Sequence, residues 1–352
     1  MTSADKEKIH EFERLVKERC VLAKKPAAIF GHEPWDPDCF GSGLGLKFLI
    51  KKLGGKAFLF NNGIIAHPQN KTIVNILRIA FKKIEEFKPE DFGLIIFVDV
   101  SYPDPRVRAD IKPDIIFDHH TEKLTTADIV FYDVREIGST STIVLEYIKE
   151  LVPDFDSEDE ECRRVANALY WGIRIDTHNG IDQGTDDLDT NALAFLKPFL
   201  ILSAVRKIEN YDLPFDYLMI AENEKEIEGD LLVTGIGFVV LERSGEIATV
   251  ADYILRQKNV ETSVVFAVVG NDHIQVSVRT DEDDFSIDSF LVRVFGEGYS
   301  GAQAGGHSGG ATIHASKIII PQEDAMAEEK DAFWRSLSSR LKRQFFKAYS
   351  SA

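Results

Sequence analysis

The chain has 352 residues, of which 44% are hydrophobic and 28% charged, and it carries a formal net charge of −17. That composition excludes a mainly disordered polymer, and the length predicts two domains. The acidic balance excludes general charge attraction to long duplex DNA, so an anionic substrate would need a local cationic group or bound metal. The three cysteines, Cys20, Cys39 and Cys162, are far apart and form no CxxC pair. They predict neither a disulfide framework nor a zinc–thiolate site. The N-terminus is charged and lacks the apolar core of a signal peptide, and no stretch reaches the ~18 apolar residues of a membrane helix. The expectation is a soluble cytoplasmic protein with no membrane association.

Residues 11–22 carry apolar side chains at helical spacing, and 27–30 read as a short buried strand ending at Gly31-His32. A helix is predicted over 43–53, a strand over 57–60, and a third, almost wholly apolar strand over 94–100. Shorter strands are predicted at 115–117 and 129–132, followed by helices over 139–151 and 159–173. Alternation of strands and helices predicts a parallel α/β sheet. A helical connection broken at Pro198 follows, then a strand from 231, a helix over 246–255, strands over 262–269 and 274–279, and a helix over 287–295. These changes of pattern predict a first domain over 1–186, a helical linker over 187–225 and a second, smaller α/β domain over 226–352.

Residues that bind divalent ions recur where strands should end. His32, Asp36 and Asp38 form H-x3-D-x-D after the first strand. Asp99 closes the most apolar strand, Asp118-His119-His120 closes another, and Asp176 follows a helical run. Ligands bind outside the carboxyl ends of such sheets, so these groups can converge. An isolated Asp after a strand is ordinarily a helix cap or turn residue. The combination of all four motifs points instead to metal. Carboxylates and imidazoles without thiolate suit Mn2+ or a similar ion.

Gly31-His32-Glu33-Pro34-Trp35-Asp36-Pro37-Asp38, Val98-Asp99, Asp118-His119-His120 and Gly172-Ile173-Arg174-Ile175-Asp176-Thr177 resemble, in order, the motifs of the DHH phosphoesterases. Ser277-Val278-Arg279-Thr280 and Gly305-Gly306-His307-Ser308-Gly309-Gly310 resemble the family's C-terminal DHHA1 domain. The resemblance implies an N-terminal parallel-sheet DHH domain, a smaller DHHA1 domain and a site for two divalent ions, usually manganese, in the cleft between them. His32, Asp36 and Asp99 would hold one ion, and Asp38, Asp99, His119 and Asp176 the other, with Asp99 shared. Two ions about 4 Å apart activate a water and neutralise a phosphoryl group. Asp118 would orient His119, and His120 would lie near the scissile phosphate. Ser277 and Arg279, two residues apart on one strand face, would grip a phosphate or nucleotide. Gly305, Gly306 and His307 would join them in a stretch with seven glycines over 296–310, dense enough for backbone N–H groups to cradle an anion.

The resemblance favours the nanoRNase and pAp-phosphatase group, acting on short oligonucleotides, linear dinucleotides or 3′-phosphoadenosine 5′-phosphate. A cyclic-dinucleotide phosphodiesterase or polyphosphatase-like enzyme would keep the same ligands, and an inactive nucleotide sensor is the reading from another class. The expected partner is a small or short nucleotide, and a homodimer is in keeping with relatives. Trp35 could stack on a base or simply pack, His178 is a weaker extra ligand, and the basic residues of 332–349 could steer RNA or complement a helix dipole.

Overall fold

The computed structural model describes residues 3–61, 63–108, 110–120, 128–182, 184–296, 308–314, 320–321 and 324–350. The described parts of Met1–Ile64 and Gln69–Asn210 form one compact unit, and those of Ile65–Pro68 and Tyr211–Ala352 a second.

The first unit opens with helix α1 (Ser3–Val16), extended by a π-helical turn over Lys17–Leu22. Strand β1 (Ala27–Phe30), helix α2 (Pro37–Lys52), strand β2 (Ala57–Asn61), helix α3 (Pro68–Ile76) and strand β3 (Phe81–Lys83) follow. Then come β4 (Leu94–Val98), β5 (Ile115–Asp118), β6 (Phe131–Val134), and helices α4 (Thr140–Leu151), α5 (Glu160–Asp176), α6 (Asp187–Leu196) and α7 (Leu202–Glu209). The six strands are parallel, in the order β3-β2-β1-β4-β5-β6. β1 is buried at all four positions and β4 at four of five, which explains their continuous apolar sequences. The strand order reverses between β1 and β4, so the crevice at their carboxyl ends is the switch point of the sheet. His32 and Asp99 follow those two strands.

Several boundaries differ from the sequence expectation; α1 starts at Ser3 rather than 11, and α5 runs on to Asp176 rather than ending at 173. α2 starts six residues earlier than 43, because Asp36 caps it and Pro37 fits a first helical turn. The apolar run ends as a strand at Val98, since Asp99 adopts φ 55° and turns the chain. β6 lies two residues later than 129–132. α3 and the three-residue β3 carried no clear periodicity.

In the second unit, helix α8 (Phe215–Glu224) leads to β7 (Glu226–Glu228), β8 (Leu231–Val239), α9 (Glu246–Ile254), β9 (Thr262–Val269), β10 (His273–Thr280), α10 (Ile287–Phe295), β11 (Ser308–His314) and α11 (Ala327–Tyr349). The sheet order is β11-β10-β9-β8-β7, with only the β8–β9 pair parallel. Alternate residues feed two cores. Val233, Val264 and Phe266 pack with α10 and α11, whereas Leu232, Val265 and Ala267 pack with α8 and α9. Among the basic residues of α11, Lys342 is buried and pairs with Glu226 at 3.1 Å. Gly309 and Gly310 are strand residues paired with Val278 and Ser277. A side chain at Gly310 would meet the Val276 carbonyl oxygen at 2.5 Å, so close strand packing accounts for that glycine. Among the described residues, no helix is long and apolar enough to cross a membrane.

Candidate metal centre

Four segments of the first unit deliver acidic and imidazole side chains to the ends of β1, β4, β5 and α5. Asp36 divides its oxygens between two tasks. Oδ1 caps α2 by accepting the N–H groups of Asp38 at 3.0 Å and Cys39 at 2.9 Å. Oδ2 lies 3.2 Å from His32 Nε2. Asp38, in the first turn of α2 and fully buried, accepts the first two N–H groups of α4, from Thr140 at 2.6 Å and Ser141 at 2.8 Å. That helix N-terminus stabilises negative charge. The approach depends on Gly172 of α5, where a Cβ would sit 2.8 Å from Asp38 Oδ1 and 2.3 Å from Ser141 Oγ.

Asp99 lies at the centre and is buried. Its Oδ2 is 3.5 Å from His32 Nε2 and accepts from Cys39 Sγ at 3.4 Å. Its Oδ1 is 3.4 Å from His119 Nε2 and accepts from Thr140 Oγ1 at 3.3 Å. Asp176, in the last turn of α5, is 3.6 Å from His119 Nε2. The donor atoms of His32, Asp36, Cys39 and Asp99 fall within 4.8 Å of one another, as do those of Asp38, Asp99, His119 and Asp176. Thus all six residues named from the sequence as ligands converge, and Asp99 belongs to both groups. Cys39, Thr140 and Ser141 join them without a recognisable motif; the only signal for the last two was a Ser/Thr run ahead of a helical pattern.

The Asp-His-His segment divides its contacts unevenly. Asp118 Oδ1 accepts from the His119 and His120 backbone N–H groups at 2.9 and 3.2 Å and lies 2.8 Å from His120 Nδ1, while Oδ2 accepts from Ser101 Oγ at 3.0 Å. The His119 ring is held instead by the Ile137 carbonyl, 3.0 Å from Nδ1. His178 stands apart, exposed and 3.2 Å from Asp182 Oδ2. Trp35 is wholly buried and packs against Phe40 and Phe81, which assigns its ring to the core rather than to a base.

The charges explain why such a cluster favours cations. Burial, with the charge of Asp99, pushes the Asp38 carboxyl up to about 7. Burial and the charges of Asp38, Asp36 and Asp99 also raise Asp176. Burial works against ionising Asp99, but hydrogen bonds and charge from His119 and His32 outweigh it and hold that carboxyl well below the usual range. His119 Nδ1 must carry a proton, because the Ile137 carbonyl can only accept. Nε2 therefore faces Asp99 and Asp176 either as a protonated ring, which those carboxylates favour strongly enough to push His119 up to about 10, or as a lone pair directed at a cation. The donor set, imidazoles with an excess of carboxylates, fits a divalent ion of the Mn2+ type.

In the second unit, Ser277 and Arg279 share one face of β10, as their spacing implied. Arg279 Nη1 donates to Ser277 Oγ at 3.0 Å, and its Nε pairs with Asp252 of α9. Gly305, Gly306 and His307 lie outside the described residues.

Comparison with known proteins finds similar chains and a similar fold. An uncharacterized protein of Methanocaldococcus jannaschii is 28% identical over 326 residues, covering 89% of this chain and 64% of the relative. A probable manganese-dependent inorganic pyrophosphatase of Lactobacillus acidophilus is 29% identical over 176 residues, 48% of this chain and 53% of that protein. The chain therefore spans less than two thirds of the length of either relative. The crystal structure of an exopolyphosphatase-related protein from Bacteroides fragilis has a TM-score of 0.60 at 16% identity and covers 98% of both chains, a likeness of fold. Residues 26–173 match the DHH family, N-terminal domain.

Proposed function

We propose that this chain hydrolyses phosphoester bonds using two divalent ions, with Mn2+ the preferred metal. The observation that carries this reading is Asp99, whose two oxygens face different histidines, His32 and His119. In this assignment His32, Asp36 and Asp99 hold one ion, and Asp38, Asp99, His119 and Asp176 the other. Bound there, the ions supply positive charge to phosphoryl oxygens and acidify a water to serve as nucleophile.

The remaining work falls to the protein. The N-terminus of α4 fixes the Asp38 carboxylate, and the Ile137 carbonyl fixes the His119 tautomer, so both donors are set before substrate arrives. The His120 side chain is 47% exposed, with Nδ1 held by Asp118. That contact leaves Nε2 as the nitrogen assigned to a phosphoryl or leaving oxygen. Arg279 and Ser277, with Gly305, Gly306 and His307, are assigned to substrate phosphate.

The substrate class we favour is a short oligonucleotide, a linear dinucleotide or 3′-phosphoadenosine 5′-phosphate. The net charge of −17 supports a small substrate, captured by a local site rather than by a basic surface. The similarity to a probable manganese-dependent inorganic pyrophosphatase supports a second reading, in which a phosphoanhydride is cleaved. A matched panel decides: 3′-phosphoadenosine 5′-phosphate, pApA, a five-nucleotide RNA, cyclic di-AMP, pyrophosphate and polyphosphate, each with Mn2+ and with chelator. Chelator-sensitive release from the first three supports the favoured class. Release from pyrophosphate or polyphosphate alone replaces it, and release from none contradicts hydrolysis.

A further inference from the structure

A pocket of about 360 Å³ lies in the first unit, where α2, α5 and the start of β2 meet. It is at the opposite ends of α2 and α5 from the metal centre. Asp38 is in the first turn of α2 and Asp176 in the last turn of α5, whereas the pocket takes Lys47 and Lys51 from late in α2 and Arg164 from early in α5. Leu44, Phe48, Ala57, Phe58 and Val165 give it an apolar wall. Its charged lining is Lys47, Lys51, Lys56 and Arg164 against the single carboxylate of Glu161. That is a local excess of cations in a chain of net charge −17.

The one carboxylate is already engaged. Glu161 accepts from Lys51 at 2.8 Å and lies 3.9 Å from Arg164 Nη2. Arg164 Nε is buried and has no hydrogen-bond partner. Among the described residues, the half-buried Lys47 ammonium has no acceptor, and burial together with the Arg164 charge pushes its pKa down. A half-buried ammonium and a guanidinium whose Nε lacks an acceptor leave the pocket short of negative charge, which an anion supplied from outside offsets. The apolar wall gives such an anion a body to bury as well as a head to neutralise.

We propose that this pocket binds a small amphipathic anion, a carboxylate or phosphate monoester with an aromatic or branched aliphatic body. Its head faces Lys47 and Arg164, and its body lies on Leu44, Phe48 and Phe58. The site is separate from the metal centre and does not require it.

Isothermal titration of the full chain in chelator tests this, with 2-naphthoate and phenyl phosphate as probes and 2-naphthalenemethanol as the uncharged control. Binding of either acid, weakened about tenfold or more by Lys47→Gln and by Arg164→Gln separately, is the expected result. Asp38→Asn, at the metal centre, should leave that binding unchanged. Without ligand, Lys47→Gln should melt at or above the wild-type temperature, because it removes an uncompensated charge. Equal affinity in both pocket variants, equal binding of the alcohol, or no binding of either acid at about 10 mM would overturn the proposal. So would a Lys47→Gln protein that melts well below wild type.

Discussion

His119 Nδ1 lies 3.0 Å from the carbonyl oxygen of Ile137, a contact that fixes which ring nitrogen faces the carboxylates. The carbonyl cannot donate, so the Nδ1 proton stays in place whether Nε2 meets a proton or a metal ion. Nitrogen-15 spectra of the chelated protein and of protein loaded with diamagnetic Mg2+ should both show a protonated Nδ1 at His119, with only the Nε2 resonance moving. Loss of the Nδ1 proton on loading would refute this assignment.

Gly172 leaves the space that Asp38 occupies. Gly172→Ala would press a methyl group against Asp38 Oδ1 and Ser141 Oγ. Helix packing tight on both sides gives little room to relax, so the cost should be about 1–3 kcal/mol in stability. Displacing the carboxylate should weaken Mn2+ binding by about 10–100-fold. Thermal melts and metal titrations check the two effects separately, and unchanged metal affinity would mean that Asp38 is not a ligand.

Most of the centre was legible because its residues stand at strand ends, where a parallel sheet gathers what sequence separates. His32 and Asp99 follow β1 and β4, the pair that flanks the switch point. The ordinary expectation for Asp36, a helix cap, is met by one of its oxygens while the other faces His32. The two readings were never exclusive. What escaped notice depends on tertiary packing. Thr140 and Ser141 matter through backbone N–H groups, which any residue type could supply. Trp35 is in the core because Phe81 of the three-residue β3 covers it, and no local pattern announced that strand. Gly309 and Gly310 joined a dense glycine run in sequence but pair as strand residues in β11.

Arg106 clasps Asp104 with Nε at 3.1 Å from Oδ1 and Nη2 at 2.9 Å from Oδ2. The Arg106 carbonyl also accepts the Glu33 N–H at 3.0 Å, tying this loop to the segment after β1. Burial opposes ionisation of Asp104, but hydrogen bonds and charge from Arg106 outweigh it and hold its carboxyl below the ordinary value. A lowered carboxylate contributes stability above its unfolded pKa, near 3.9, and loses it as pH falls through the folded value. Arg106→Gln should therefore unfold at a higher pH than wild type during acid titration. The difference should vanish once Asp104 is protonated in both proteins. An unchanged acid midpoint would show that the pair contributes nothing.

Arg279 is held on the face of β10 by Ser277 and Asp252. Its proposed task is to hold substrate phosphate rather than to stabilise the reacting centre. Arg279→Ala should raise KM about tenfold or more while kcat changes little. A large fall in kcat at constant KM would assign it to the transition state instead.

The most direct test of the account is turnover of the best phosphoester in the panel by Asp99→Ala at saturating Mn2+. Removing the one carboxylate shared by both donor groups should lower kcat by about a thousandfold or more, in a protein that still melts cooperatively. Near wild-type turnover in that variant would contradict a two-ion centre built on Asp99.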